Sequence, residues 1–278
     1  MRFTILGASG FIGSALARAL RTAGDDCIAP ERAAMGALLE GNTALGHVIW
    51  CVGLTADFRE RPFDTVRAHV CDLLPWLQQG RFDSFLYLSS TRVYGGCERA
   101  EETAALTVQP SRPDDLYNLT KLTGEALCLT QPRTDVRVVR LSTVIGERPD
   151  AHDFVAALLR EGRATGSVRL RDHADSAKDY IALEDVVDLL PCIACAGTQR
   201  LYNVAAGSNL THWQVAQSLA APAGWRVICE GAAPPVIFPL IGTGRIRQEF
   251  GFSPRDALGR IASLTTADTQ HTKDVCHS

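Results

Sequence analysis

Tyr117 and Lys121, in the middle of the chain, have the residue types and the spacing for proton transfer. If this segment is helical, residues four apart share one face, so the phenol and the ammonium can change each other's protonation. A free phenol titrates at about pH 10, and moving its pKa to neutrality requires roughly 4 kcal/mol. One cation about 4 Å away supplies a similar energy in a protein site. The pair therefore predicts a tyrosine that donates and accepts protons inside a water-shielded cleft.

A glycine-rich turn follows a predicted first strand, 2–6, and leads into a predicted helix from Phe11 to about Ala23. Glycines stand at positions 7, 10 and 13. This spacing allows a tight turn, close backbone approach to a pyrophosphate, and close contact between helix and strand. The turn therefore predicts a dinucleotide site. Its candidate cofactor contacts are Gly7, Ser9, Gly10, Phe11 and Ile12.

The ends of the next two predicted strands add candidates for binding the dinucleotide. Glu31 follows the second strand, where an acid binds the adenosine ribose hydroxyls of NAD and repels the 2'-phosphate of NADP. Arg32 could instead hold that phosphate, so the sequence favours NAD and leaves NADP possible. An exposed Glu–Arg pair without a ligand is the alternative. The third strand, 47–53, contributes Cys51, Val52 and Gly53, where the backbone passes close to adenine or ribose or simply turns.

Strand and helix patterns alternate through the first half, which is typical of a parallel sheet covered by helices on both faces. The predicted strands are 2–6, 27–29, 47–52, 84–88 and 136–141, and the predicted helices are 11–23, 63–78 and 115–129. We expect a Rossmann-type, doubly wound α/β fold with a smaller C-terminal substrate lobe. The dinucleotide-binding domain would span 1–146, with 178–206 returning to it, whereas 147–177 and 207–264 would form the substrate lobe and 265–278 a flexible tail.

The composition of the 278-residue chain excludes several classes of protein. Hydrophobic residues make up 46% of it, charged residues 21%, and the formal net charge of -3 leaves no basic surface for nucleic acid. The first predicted strand begins at once, so we expect no signal peptide and a cytoplasmic protein. The nine cysteines are scattered singly apart from Cys192 and Cys195, and no second pair completes a metal set. We therefore expect reduced thiols, no metal site and no membrane segment.

Several motifs follow one another along the chain: Ser84–Gly95, Tyr117 with Lys121, Arg140–Gly146, and Lys178–Ile181. Their order resembles the extended short-chain dehydrogenase/reductase family, the NAD-dependent epimerase/dehydratase group, over nearly the whole chain. The resemblance implies that Tyr117 is the catalytic acid/base and that Lys121 holds the nicotinamide ribose and lowers the pKa of the tyrosine. It also implies that Ser90 hydrogen-bonds the reacting oxygen, or Thr91 if the strand end is displaced by one residue. Leu88 is a further expected cofactor contact.

Departures from the family pattern bear on the substrate. The sugar-nucleotide dehydratases of the family have Asp-Glu directly after the catalytic hydroxyl residue, with the Glu as acid for water loss, whereas this chain has Thr91 and Arg92. Dehydration is therefore disfavoured. His69 and Thr143 stand where relatives often have asparagine, and Lys178 stands where they often have arginine. The substrate-binding candidates are Ser90, Arg92, Thr143 and Lys178.

The resemblance implies an NAD(P)-dependent oxidoreductase acting on a sugar, and we expect that sugar to be nucleotide-activated. Keto-sugar reduction is favoured because extended-family epimerases are commonly longer than this chain. A nucleotide-sugar epimerase with retained NAD is the alternative, and a further one is a non-catalytic dinucleotide-sensing regulator, which would not need Tyr117. Arg140 could bind a phosphate or form a structural pair. Dimers are common in the family, so we expect a homodimer.

Overall fold

A six-stranded parallel sheet forms the centre of the computed structural model, which describes residues 1–54, 58–147 and 153–274. The strands of the chain are β1 (Arg2–Leu6), β2 (Asp26–Ile28), β3 (His47–Trp50), β4 (Ser84–Ser90), β5 (Val136–Leu141), β6 (Thr143–Ile145), β7 (Ser167–Leu170), β8 (Ala177–Ala182), β9 (Leu201–Val204), β10 (Asn209–Thr211) and β11 (Arg226–Cys229). The central order is β2-β1-β3-β4-β5-β9. The chain adds β2 on one side of β1 and β3 on the other, and such a reversal opens a crevice at the carboxyl ends of the strands.

Helices cover the sheet and continue through the second half of the chain. Their bounds are α1 (Phe11–Thr22), α2 (Met35–Glu40), α3 (Pro62–Val66), α4 (Leu74–Gln79), α5 (Asp115–Leu129), α6 (Phe154–Thr165), α7 (Leu183–Ala196), α8 (His212–Ala220), α9 (Gly244–Phe250) and α10 (Ala257–Asp274). Helices α1 and α5 confirm the sequence-based bounds to within one residue. The single helix predicted over 63–78 is wrong, because Pro75 has no backbone N–H to continue it, and a π-helical turn, Arg67–Cys71, separates α3 from α4.

Apolar side chains of the central strands pack on both faces of the sheet. Ile5 belongs to a cluster with Leu16 of α1 and Leu190 of α7, whereas Leu6 belongs to a second cluster with Trp50 and Trp76. Successive residues of one strand point to opposite faces, so the two clusters cover the two sides of one sheet. The structure therefore confirms the doubly wound parallel α/β fold.

The second half of the chain builds two smaller sheets and a core of its own. Strands β6, β8 and β10 form one sheet in the order β10-β8-β6, and β7 pairs with β11. Their buried side chains pack with those of α6, α8 and α10. Of the segment 178–206, predicted to return to the first domain, β9 pairs with β5 and α7 packs on the central sheet, but β8 belongs to the smaller sheet. The domain boundaries themselves stay a prediction.

Helix α10 runs past residue 264, where the sequence predicted that a tail begins, and ends at Asp274. Thr265 is buried, and its hydroxyl donates to the Leu219 carbonyl at 2.9 Å, so packing on α8 explains the continued helix. Residues 275–278 lie outside the described part of the chain. Within the described residues, no helix is long and apolar enough to cross a membrane, and the eight cysteines are free thiols.

Candidate active site

The turn between β1 and α1 packs directly on the end of β3. Gly7 has a φ of +89°, and a Cβ at this position would lie 2.8 Å from the carbonyl carbon of Cys51 and 2.9 Å from the nitrogen of Val52. A Cβ at Gly13 would lie 2.3 Å from the Gly7 carbonyl oxygen. Only glycine fits these two positions without movement of the backbone. Ser9 and Gly10, further along the same turn, are exposed.

The first turn of α1 has the properties of a pyrophosphate site. Gly10 is its N-cap, no side chain caps the helix, and no acidic residue lies in the first turn. Uncapped N–H groups and the positive end of the helix dipole favour an anion there. Ser9 is exposed, whereas the Phe11 ring packs against Gly146 and Ile12 packs against the core. The residues present therefore fit a dinucleotide, although the contacts of Ser9, Phe11 and Ile12 with it stay predictions.

Tyr117 lies buried in α5, with Ser90, at the end of β4, near its phenol. Burial raises the pKa of Tyr117 above its ordinary value, while the nearby Ser90 hydroxyl and the positive charge of Arg92 lower it. The charge that lowers the pKa of Tyr117 is therefore that of Arg92, whereas the sequence predicted that of Lys121. The phenol is a proton donor at neutral pH, because its net pKa shift is upward.

Lys121 is buried one turn further along α5. Its Nζ donates to the Leu88 carbonyl oxygen at 2.9 Å, and a Cβ on Gly53 would lie 3.3 Å from the same Nζ atom. Burial lowers the pKa of Lys121 to about 8, against the opposing charge of Glu125. The predicted residues Leu88, Gly53 and Lys121 thus meet at the carboxyl edge of β3 and β4, where a Rossmann-type fold binds its ligand.

His69, in the π-helical turn, joins three parts of this edge. Its Nδ1 lies 2.8 Å from the Thr120 hydroxyl, its Nε2 accepts from the Leu54 N–H at 3.2 Å, and its ring meets the Tyr117 ring edge-on at 5.3 Å. Burial and the charge of Lys121 lower the pKa of His69 to about 2, so the imidazole is neutral. His69 therefore holds the loop after β3 against α5.

The predicted substrate residues approach from two directions. Thr91 and Arg92 follow Ser90 in a short 3₁₀ turn, and the Arg92 guanidinium lies 5.5 Å from the centre of the Tyr117 ring. Lys178 comes from β8 of the smaller sheet, and the charge of Arg92 contributes to lowering its pKa, after burial as the main cause. Thr143, on β6, is paired in register with Tyr180, two residues after Lys178. Their contacts with a substrate stay predictions.

Comparison with known proteins adds a family to this geometry. Residues 3–205 match the model of the NAD dependent epimerase/dehydratase family. The chain belongs to this family. The match includes the glycine turn, Ser90, Tyr117 and Lys121, and it makes the protein an NAD(P)-dependent enzyme of the short-chain dehydrogenase/reductase type. No curated protein sequence matches the chain.

Solved structures of similar fold include MoeE5 in complex with UDP-glucose and NAD, at 22% identity and a TM-score of 0.80, with 98% of this chain and 100% of that chain covered. TunA, an NAD-dependent NDP-hexosamine 5,6-dehydratase, shares 22% identity at a TM-score of 0.78, covering 97% and 98% of the chains. RMD from Pseudomonas aeruginosa, complexed with NADPH, shares 23% at 0.76, covering 95% and 97%. At these identities the likeness shows that the epimerase/dehydratase fold is common to all four.

The two residues that the sequence linked to the choice between NAD and NADP, Glu31 and Arg32, follow β2 and are both exposed. Glu31 is exposed and caps the following 3₁₀ turn without a side-chain hydrogen bond. Arg32 is exposed too, and its Nη2 lies 3.8 Å from an oxygen of Asp72. An exposed pair at this distance contributes little and is easily rearranged. The preference of this family member for NAD over NADP therefore stays a prediction.

Arg140 forms a buried ion pair, which decides between the two roles left open by the sequence. It pairs with Glu125 of α5 at 2.6 Å, and both side chains are buried. Glu125 also accepts from the Ser89 hydroxyl at 2.5 Å, and Arg140 donates to the Tyr94 hydroxyl, which donates to Asn203. This network fixes α5 against β4, β5 and β9. Glu125 was missed in the sequence, although its position four residues after Lys121 places it on the same helical face.

Proposed function

We propose that the protein is an NAD(P)-dependent reductase of a nucleotide-activated keto-sugar. The observation that carries the proposal is the contact between the buried Tyr117 phenol and Ser90, beside Lys121 at the carboxyl edge of the sheet. A proton donor and a second hydroxyl aimed at one reacting oxygen are the groups that carbonyl reduction needs. The raised pKa of Tyr117 supports this direction, since reduction starts from the protonated phenol.

The residues of the chain would divide the work of reduction among themselves. The glycine turn and the start of α1 would hold the pyrophosphate, and Lys121 would donate to the nicotinamide ribose. A reduced nicotinamide held there would supply the hydride to the carbonyl carbon. Tyr117 would give its proton to the carbonyl oxygen, while the Ser90 hydroxyl would donate a hydrogen bond to the same oxygen. The products would be the carbinol, the oxidised nicotinamide and a phenolate, which is reprotonated from solvent.

Two other outcomes share parts of this site. Water loss needs an acid next to the catalytic hydroxyl, but Arg92 at that position keeps its proton at neutral pH. Dehydration, the activity in the name of TunA, is therefore disfavoured here. Epimerisation uses hydride transfer twice. It needs a cofactor that stays bound while the keto intermediate rotates to present its other face. It remains the second candidate function.

Native mass spectrometry of the purified protein, followed by kinetic assay, tests the proposal. The assay panel contains nucleotide sugars and their 4-keto forms, each with NADH and with NADPH. A reductase consumes reduced cofactor in proportion to the keto-sugar that is added. In native mass spectrometry, the purified reductase carries no bound dinucleotide. Tightly retained dinucleotide with no net cofactor consumption supports the epimerase. NADH is the expected better cofactor because of Glu31, and stronger binding of NADPH would overturn that preference.

A homodimer is the expected assembly, by analogy with the family. Phe63 of α3 is 87% exposed and Leu74 of α4 is 36% exposed, so each presents an apolar side chain to solvent. Scattered apolar residues are normal on monomers, and the mass of the native assembly decides the question. A mass of one chain at micromolar concentration contradicts the expectation.

A further inference from the structure

Arg92 places a guanidinium beside Tyr117, and its ion pair with Asp114, at 3.9 Å, is a long one. Its Cζ lies 4.8 Å from the centre of the Phe58 ring and 5.5 Å from that of Tyr117, and these aromatic faces hold the cation in place. Its backbone N–H donates to the Ser90 hydroxyl at 3.2 Å, so the turn that carries Arg92 also carries Ser90. The charged group is therefore fixed close to the atom that would react.

The N–H groups of this guanidinium are free to bind a ligand. Within the described residues, no hydrogen bond from the Arg92 side chain is formed, and the nearest carboxylate oxygen, on Asp114, lies 3.9 Å away. Asp114 is already held by Arg59, whose Nε donates to it at 2.6 Å. The Arg92 side chain is only 33% exposed. A partly exposed guanidinium whose donors are accepted by no described side chain can bind an anionic ligand through its planar fork.

Lys178 is a second cation that could bind an anionic group of the substrate. Within the described residues its ammonium forms no hydrogen bond or ion pair, and it lies 5.3 Å from the centre of the Tyr180 ring and 5.9 Å from that of Phe154. A compact ammonium suits a phosphate as a point charge, whereas a planar guanidinium fork suits two oxygens in one plane. The two cations therefore suit different anionic groups of one substrate.

We infer that Arg92 selects a sugar that carries a carboxylate on its ring, a nucleotide-activated uronic acid or its keto form. The inference rests on the proposed function, since it places the sugar ring against Tyr117 and Ser90. The single negative charge of a carboxylate neutralises the single positive charge of the Arg92 guanidinium, so the pair adds no net charge beside the phenol. A phosphate would add a second negative charge there and oppose formation of the phenolate. A neutral hydroxymethyl group would leave the guanidinium unpaired.

Paired substrates and two substitutions test this inference. The substrates are a nucleoside diphosphate hexose and the uronic acid of the same nucleotide and ring configuration, measured for kcat/KM and for equilibrium binding to the cofactor-loaded protein. The variants are Arg92→Gln, which removes the charge, and Arg92→Lys, which keeps the charge and removes the fork. Arg99→Gln, at an exposed position outside the site, controls for the loss of one surface charge.

The test compares the ratio of kcat/KM, and of affinity, for the uronic acid over the neutral sugar among these proteins. We expect a preference of about 10- to 100-fold in the wild type and in Arg99→Gln, nearly lost in Arg92→Gln and intermediate in Arg92→Lys. Taking the ratio of two substrates cancels any general effect of Arg92 on the pKa of Tyr117. Equal preference in the wild type and Arg92→Gln overturns the inference even if the enzyme turns over. If no hydride transfer is seen but the binding preference still depends on Arg92, the proposed reaction is wrong and the inference about Arg92 is supported.

Discussion

The Ser90 hydroxyl lies near the Tyr117 phenol and lowers the pKa of the tyrosine. In Ser90→Ala this effect is lost, so the pKa of Tyr117 rises and the reaction should need a higher pH in the direction of oxidation, which starts from the phenolate. We expect the basic inflection of the rate profile to move upward and the rate to fall by about a hundredfold. Ser263→Ala, at an exposed position of α10, should leave both unchanged. An unshifted inflection in Ser90→Ala would remove this serine from the proton path.

Lys121 should also show itself in the pH dependence of stability. Its pKa is about 8 in the folded protein and 10.5 for the free group, so the folded state binds fewer protons in between. Stability then increases as the pH rises from about 8 to 10.5, by about 3 kcal/mol at most. Urea unfolding of the wild type and Lys121→Met at several pH values isolates this change. Parallel curves for the two proteins over that interval would contradict the assigned burial of the ammonium.

At the scale of elements, the turn between β1 and α1 depends on two separate constraints at Gly7. The positive φ costs about 1–2 kcal/mol for any residue with a Cβ, and the contact with the Cys51 backbone adds a steric cost. Gly24 has a similar φ of +82°, but a Cβ added there would have no neighbour within 4 Å, so Gly24→Ala is the matched control. We expect Gly7→Ala to lose more stability than Gly24→Ala and to weaken dinucleotide binding more than tenfold. Fluorescence titration with NADH and urea unfolding measure the two effects, and equal losses would show that the close approach is unimportant.

The attachment of α5 to the sheet depends on the ion pair between Glu125 and Arg140. Removing one partner leaves the other buried and unpaired, so Glu125→Ala should cost about 3–5 kcal/mol of unfolding free energy. The exposed pair of Arg169 with Glu230, at 2.8 Å, is a suitable comparison, and Glu230→Ala should cost less than about 1 kcal/mol. Chemical denaturation gives both values. Similar small losses would mean that the buried network does not hold the catalytic helix.

The sequence predicts features that depend on neighbouring residues better than features that depend on contacts between distant segments. Helix α5 follows its predicted bounds although most of the side chains it buries are polar, and the proline at position 75 could have warned that the helix over 63–78 would break. Helical spacing alone assigns the lowering of the Tyr117 pKa to Lys121. The structure assigns it to Ser90 and Arg92, which reach the phenol from another strand end. Such contacts between distant segments carry no periodic signal, and neither does the packing of Phe58 on the Tyr117 ring.

At the scale of the whole molecule, the parallel sheet brings distant segments to one edge. The glycine turn follows β1, Gly53 lies just after β3, and Ser90 ends β4, so all three meet where strands of the same direction finish. The smaller sheet adds Lys178 from β8. Parallel strands therefore explain how residues more than 100 positions apart, such as Gly7 and Tyr117, can serve one bound dinucleotide.

Single-turnover reduction by Tyr117→Phe, measured beside NADH affinity, tests the central claim most directly. Loss of the phenolic hydroxyl removes the proton donor and leaves the cofactor contacts in place, so the account predicts a fall in rate of about a hundredfold or more at unchanged affinity. Tyr202→Phe, which removes a hydroxyl bonded to Glu249, should keep the wild-type rate. A Tyr117→Phe enzyme that reduces its substrate at the rate of the wild type would contradict the account.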